Sequence, residues 1–237
     1  MGIGEDLGTN VNRIINSAWD MRAGRKVPGS DEVALDGGGV VLDATVLYAD
    51  LSGSSKLATD FHRQTAAKVI KCFLYCAARI IASNEGSISA FDGDRVMGVF
   101  LGDTKNTSSA KSALQINHAV LKIIKPRLVE HFASVRDSGF EIRHGVGVDT
   151  SSILAVRAGV RGSNDLVWVG RAPNLAASLS SIREDVSASY ITDEVFQRLR
   201  DEAKMGGNPP QLMWEPRTYE WLEEKLSIHR SIWIWEP

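Results

Sequence analysis

From Ala44 to Leu51 apolar and β-branched residues run almost unbroken, interrupted near the end by Asp50; the pattern predicts a buried strand that ends in a carboxylate. Ser52, Gly53, Ser54 and Ser55 follow as a small-residue turn. Between Lys56 and Ser83 the apolar positions Leu57, Phe61, Ile70, Leu74, Ala77 and Ile81 keep a near-helical spacing, which predicts one long helix. Ser87 to Phe91 alternates, Asp92-Gly93 is a two-residue hairpin signal, and Asp94 to Leu101 returns as a strand with an acid just after the turn. A second helical stretch, Ser108 to Val135, contains Pro126, whose missing N–H and fixed φ predict a kink or a break. Three more strands are predicted at Phe140 to Val148, Ile153 to Val160 and Leu166 to Val169. Short helices follow at Pro173 to Ile182 and Thr192 to Arg200, and a last strand at Ser231 to Trp235.

Between residues 44 and 148 the order is therefore β-α-β-β-α-β, the α+β ferredoxin-like core, with further strands and helices added after it. In that topology the first and third strands are central antiparallel neighbours, so Asp50 and Asp94 are expected side by side. Upstream, Asn10 is placed to cap an amphipathic helix through Val11, Ile14, Ile15, Ala18 and Trp19, followed by a polar, Gly-bearing connection from Arg22 to Gly39. This divides the chain into an N-terminal helix and linker over residues 1–39 and a core domain with a C-terminal extension over 40–237. The helix either stands off as a dimer or partner contact or folds onto the same core.

Composition narrows the classes. At 237 residues, 43% hydrophobic and 24% charged, the chain is long enough to bury a core without staples, and 27 Lys+Arg against 29 Asp+Glu leave no basic field for a nucleic-acid partner. No leader pattern stands at residues 1–10 and no apolar run reaches the ~18 residues of a membrane span, which predicts a cytoplasmic protein with no membrane span. Cys72 and Cys76, one turn apart, read as inert thiols on a buried helix face. Trp214, Trp221, Trp233 and Trp235 read as core and dimer contacts.

Two carboxylates on neighbouring central strands repel each other and lose hydration, so they call for a cation. Magnesium or manganese is the simplest, since such ions take one or two carboxylates plus substrate phosphates, and a pair of them clamps attacking and leaving oxygens in phosphoryl transfer. The Ser52 to Ser55 loop, between strand and helix, offers backbone N–H groups to a triphosphate.

Four collinear segments over residues 40–190 give the chain a family resemblance. They are Val46-Leu47-Tyr48-Ala49-Asp50-Leu51-Ser52-Gly53-Ser54, Gly93-Asp94-Arg95-Val96-Met97-Gly98-Val99-Phe100, Ile142-Arg143-His144-Gly145-Val146-Gly147-Val148 and Val169-Gly170-Arg171-Ala172-Pro173-Asn174-Leu175-Ala176-Ala177. On these the chain resembles the catalytic domain of class III nucleotidyl cyclases. The resemblance implies a head-to-tail homodimer with active sites at the interface, two divalent cations (Mn²⁺ or Mg²⁺), and attack of a ribose 3′-hydroxyl on the α-phosphate with loss of pyrophosphate. It places metal ligands on Asp50, Asp94 and the Leu51 carbonyl, a ribose-orienting amide on Asn174 and a phosphate-contacting guanidinium on Arg143.

The departures carry the substrate. Where purine cyclases have a base-reading lysine the chain has Ala90, and where they have Asp or Thr it has Val167, neither able to contact a purine edge. That pattern looks like the bacterial pyrimidine cyclases of antiphage (Pycsar) systems, which implies UTP or CTP as substrate and a cyclic product read by a separate effector. Tyr48 and Arg95 are candidate donors to the O2 and O4 acceptors of uracil, which favours UTP, although Arg95 follows Asp94 directly and would face away from it in a regular strand. The family's phosphate-neutralising arginine is replaced by Ser178, leaving Arg171, Arg183 and Arg157 as candidates. Lys225 and Arg230 are possible stand-ins for the C-terminal lysine of mammalian cyclases. An adenylate or guanylate cyclase with unusual base contacts, and a catalytically silent nucleotide-binding dimer, are the alternatives.

Overall fold

The computed structural model describes residues 2–184, 186 and 188–237. In chain order, α1 (Ile3–Asn16) and a short strand β1 (Met21–Ala23) precede the long β2 (Gly39–Ser52). Then come α2 (Ser54–Asp60), α3 (Arg63–Ser83) and the hairpin β3 (Ser87–Asp92) and β4 (Arg95–Phe100). α4 (Lys105–His118) runs through a π-helical turn, Ala119–Ile124, into α5 (Lys125–His131) and α6 (Ala133–Asp137). β5 (Arg143–Val160), β6 (Ser163–Val169), α7 (Arg171–Ser180) and β7 (Ala188–Thr192) follow. The C-terminal part holds α8 (Asp193–Gln197), α9 (Asp201–Lys204), the small β8 (Met205–Gly206) and β9 (Gln211–Leu212), and the hairpin β10 (Glu215–Trp221) and β11 (Glu224–Ser231).

The main sheet runs β10-β11-β7-β5-β2-β4-β3, with β6 on β5 and β1 on β2. Its stretch β5-β2-β4-β3 is the ferredoxin-like core read from the sequence, with β2 antiparallel to both neighbours. Because β2 is covered on both faces, it can be apolar on both. Leu47, Ala49 and Leu51 enter a cluster with α3 and α4, while Val40, Leu42, Ala44 and Val46 pack with Ala172 and Ala176 of α7. By the two-residue period, Tyr48 and Asp50 share the α7 face.

α7 lies almost directly on β5. A Cβ at Gly147 would come within 2.1 Å of the Ala176 carbonyl oxygen, and one at Gly145 within 2.3 Å of the Ser180 carbonyl oxygen. Both contacts are to backbone, which has no rotamer to give.

Several elements differ from the sequence reading. Asn10 lies inside α1 and bonds the Asp6 carbonyl at 2.9 Å rather than capping the helix, and α1 has no buried residue, so it stands off the core. The helix predicted from Lys56 breaks at Phe61 and His62, where the Phe61 ring is drawn down onto Phe140, centroids 5.4 Å apart. The two strands expected over 140–160 are one strand of 18 residues. The first two polar residues between them are buried with partners: Asp149 is fully buried against Arg171 and the Thr192 hydroxyl, and Thr150 bonds Thr45 at 3.1 Å.

β7, β10 and β11 have no counterpart in the sequence reading. The β10–β11 turn places Leu222 and Glu223 at φ 50° and 67°, the type I′ geometry without the Asn or Gly that advertises it. The strand predicted at Ser231 to Trp235 ends at Ser231. Beyond it the tail is pinned to α4 by side-chain amides, with Asn117 Nδ2 donating to the carbonyls of Ile232 and Trp233 at 3.0 and 2.9 Å. Trp214, Trp233 and Trp235 are core contacts as read, the Trp214 Nε1 donating to the Ala203 carbonyl at 2.7 Å. Cys72 is exposed and Cys76 only half-buried, because α3 turns Val69, Phe73, Ala77 and Ile80 to the core and leaves the thiols at its edge.

Gly147→Ala tests the seating of α7. Forcing a methyl against a backbone carbonyl should destabilise the chain by about 3 kcal/mol or more in urea unfolding, as overpacking of a rigid contact does. A loss below about 0.5 kcal/mol would show that α7 rides higher on β5 than described.

Candidate active site

Asp50 stands at the end of β2, 6% exposed, opposite Arg95 on β4 and Gly145 on β5. Asp94 sits in the β3–β4 turn, after Gly93 at φ 61°, and its carbonyl accepts the Leu51 N–H at 3.4 Å. The two acids are thus brought together as the topology required. Burial holds the Asp50 carboxyl above the ordinary range and the nearby Asp94 charge pushes the same way; the Arg183 guanidinium, 2.5 Å from Asp50 Oδ2, and Arg95 oppose them.

Because Arg95 pairs across from Asp50, it shares the Asp50 face; the turn at Gly93-Asp94 removes the alternation that set them apart in a regular strand. Tyr48, two residues back, is on this face too, and with Ala90 and Trp168 it packs against the second core cluster. Burial raises the Tyr48 phenol, and the Arg95 charge lowers it in part. Trp168 was not singled out in the sequence. Its neighbour Val167 points outward, 45% exposed, while Trp168 stands opposite Ala155 of β5, at the Val40 end of β2 and away from Tyr48.

Ser52 ends β2, opposite Arg143 at the start of β5, and Gly53 caps α2 at φ 77° with the Phe140 ring 3.2 Å from where a Cβ would stand. Only glycine fits that bend. Ser54 and Ser55 open α2, so the loop rims the Asp50 carboxylate with small residues and backbone.

The structure separates one predicted residue from the rest. Asn174 lies on the exposed face of α7, donating through Nδ2 to the Gly170 carbonyl at 3.1 Å. It is the Ser180 end of α7 that packs on Gly145, opposite Asp50. Six residues of helix put Asn174 about 9 Å away along the axis.

The question left by Ser178 has a geometric answer. Its hydroxyl pairs with the Tyr219 hydroxyl of β10 at 2.8 Å. Arg171 is committed to Asp149, Glu194 and the Thr150 carbonyl, and Arg157 donates to Asn164 at 2.6 Å. Arg183 alone of the three candidates reaches the acidic site. Lys225 is exposed on the β10–β11 hairpin, and Arg230 is paired with Glu184 at 2.6 Å.

Among the described residues no three His, Cys, Asp or Glu side chains gather as a metal cluster. The donor set still fits a hard cation. A buried carboxylate beside a second one already draws a guanidinium to itself, and two carboxylates leave the remaining positions to phosphate oxygens, as magnesium and manganese favour.

Beneath the site His144, fully buried and tilted against Phe73 at 6.0 Å, was not marked in the sequence. Burial first, and the Arg183 charge second, press its imidazole down to about 3.

Comparison with known proteins places this geometry. No protein-family model matches the chain. It is 40% identical to the uridylate cyclase of Rhodovulum sp. (strain MB263) over 237 residues, covering 100% of this chain and 99% of that protein. It is also 40% identical to the uridylate cyclase of Xanthomonas perforans, covering 99% of each. Among solved structures, the adenylyl cyclase CyaB of P. aeruginosa aligns with a TM-score of 0.64 at 17% identity over 81% of this chain and 94% of that one. A guanylyl cyclase aligns with a TM-score of 0.67 at 16% identity over 84% and 96%. The solved structures share the fold.

His144 gives the site a pH signature. The unfolded imidazole titrates near its ordinary 6.5 and the folded one near 3, so the folded chain binds fewer protons between those values. Stability is full above the unfolded value and falls on acidification by up to about 1.4 kcal/mol per pH unit. In urea unfolding between roughly pH 7 and 4.5, His144→Gln should flatten that fall by about one proton; an unchanged slope would contradict the buried neutral imidazole.

Proposed function

Because the chain belongs to the uridylate cyclase family, we propose that it converts UTP to 3′,5′-cyclic UMP and pyrophosphate at the Asp50–Asp94 site. The observation that carries the reading is the pair of acids brought together by the end of β2 and the β3–β4 turn, one of them buried and held by a guanidinium. In the reaction the ribose 3′-oxygen bonds to the α-phosphorus as the bond to the departing pyrophosphate breaks, and the 3′-hydroxyl proton leaves.

Asp50, Asp94 and the Leu51 carbonyl would hold two divalent cations, which would supply charge neutralisation at the α-phosphate. The Ser52 to Ser55 loop and Arg143, facing each other across β2 and β5, hold the triphosphate. Arg183, on Asp50 without substrate, is placed to turn onto phosphate oxygens and fill the role that Ser178 cannot. Tyr48 and Arg95 donate to the uracil oxygens from the Asp50 face. Ala90 leaves no lysine to read a purine.

Asn174, about 9 Å along α7 from the acidic end, meets the ribose of a site on a second copy. This supports a homodimer with two interface sites, each needing Asp50 and Asp94 from one protomer and Asn174 from its partner. The product acts as a second messenger in antiphage defence and is read by a separate effector; the likeness to the Pycsar pyrimidine cyclases supports this role.

Purified protein incubated with each of ATP, GTP, CTP and UTP in Mn²⁺ should yield a 3′,5′-cyclic product from UTP, and Asp94→Ala should yield none while retaining its unfolding transition. A cyclic purine as main product would overturn the base reading, and turnover by Asp94→Ala above a metal-free blank would overturn the metal site.

A further inference from the structure

The sheet face opposite α7 carries a second concave site. Between the outer edge of α3 and the π-helical turn leading into α5 lies a cleft of about 490 Å³, within the range of small-molecule pockets. Its apolar lining includes Cys76, Ile124, Leu128 and Phe132. Apart from the thiols, the charged or titratable groups that line it are Lys68, Lys71, Arg127, His131 and the Tyr75 phenol, and among the described residues no carboxylate does. In a chain with 29 acidic against 27 basic residues, such a one-signed lining is a local departure. The Lys68 ammonium stands 5.5 Å above the Phe132 ring, so one cation already lies over an apolar wall. Arg127 donates to the Ile123 carbonyl at 3.0 Å, which ties its guanidinium to the π-helical turn. π-Helical turns recur at functional sites because the widened turn redirects side chains.

We propose that this cleft binds a small amphipathic anion, a single carboxylate, sulfonate or phosphate head carried on an apolar body. The head pairs with Lys71 and Arg127 at the rim while the body covers Leu128, Phe132 and the edge of Cys76. A free inorganic anion leaves the apolar wall wet, and an uncharged chain leaves the cations unmatched; only the combination satisfies both halves of the lining. The site is independent of the cyclase reading, since it lies on the helix layer and shares no residue with the Asp50 face.

The two thiols of the chain make the test specific, because Cys72 and Cys76 both line this cleft and no other cysteine exists. Thiol labelling of the full chain by an aromatic disulfide should slow several-fold in saturating dodecanoate, and much less in dodecanol or inorganic phosphate. In Lys71→Glu and Arg127→Glu the dodecanoate concentration giving half-protection should rise at least about tenfold, the cost of losing one charge-assisted contact. Arg136→Glu on α6, paired with Asp137 outside the cleft, should leave it unchanged. Unaltered labelling in dodecanoate, equal protection by dodecanol, or charge-reversal variants that behave as the parent protein would each overturn the proposal.

Discussion

A carboxylate buried at the end of a central strand, with a second carboxylate beside it in the β3–β4 turn, is the constraint on which the molecule turns. Burial and repulsion both raise Asp50, so the folded chain must supply a positive partner or lose stability when the carboxyl ionises. Arg183 meets that need from just beyond the Ser180 end of α7. In the proposed reaction the same guanidinium passes from protein to substrate when a divalent cation neutralises the acids, so that one residue would serve both the resting charge of the site and the role that Ser178 cannot fill.

The rest of the fold keeps that arrangement rigid. β2 is apolar on both faces because a helix layer covers one and α7 the other, and α7 sits low because β5 offers it two glycines. That depth puts Arg183 on Asp50 while leaving Asn174 stranded on an outward surface. On the proposed reading a site divided in this way is incomplete in one protomer, and the packing of this single helix supports the proposal of a second copy. The long apolar stripe of α1, exposed from Ile3 to Ile15, adds no residue to the site.

Much of this was legible because the relevant signals are local. Ala44 to Leu51 reads as a buried strand, Asp92-Gly93 as a tight turn, and the β-α-β-β-α-β order lets Asp50 sit beside Asp94. The side of the strand on which Arg95 falls was not legible, because it depends on the turn placing Asp94 outside the ladder. The unbroken run of β5 was hidden by Asp149 and Thr150, polar residues whose burial is intelligible only once Arg171, Thr192 and Thr45 are brought to them. β10 and β11 were missed because their turn uses Leu222 and Glu223 in left-handed conformations that those residues do not announce. The thiols misled because a four-residue spacing fixes a shared stripe of α3, not which stripe is buried.

The division of the site between protomers is the most exposed claim, and complementation tests it directly. Asp94→Ala and Asn174→Ala are each expected to be inactive alone. Mixed in equal amounts under conditions that let subunits exchange, they should recover roughly a quarter of parental activity, since half of the dimers then carry one intact site of two. Recovery at that level requires that the two residues act from different chains; persistent inactivity of a mixture shown to form heterodimers would place Asn174 and Asp94 in the same protomer's site and contradict the account.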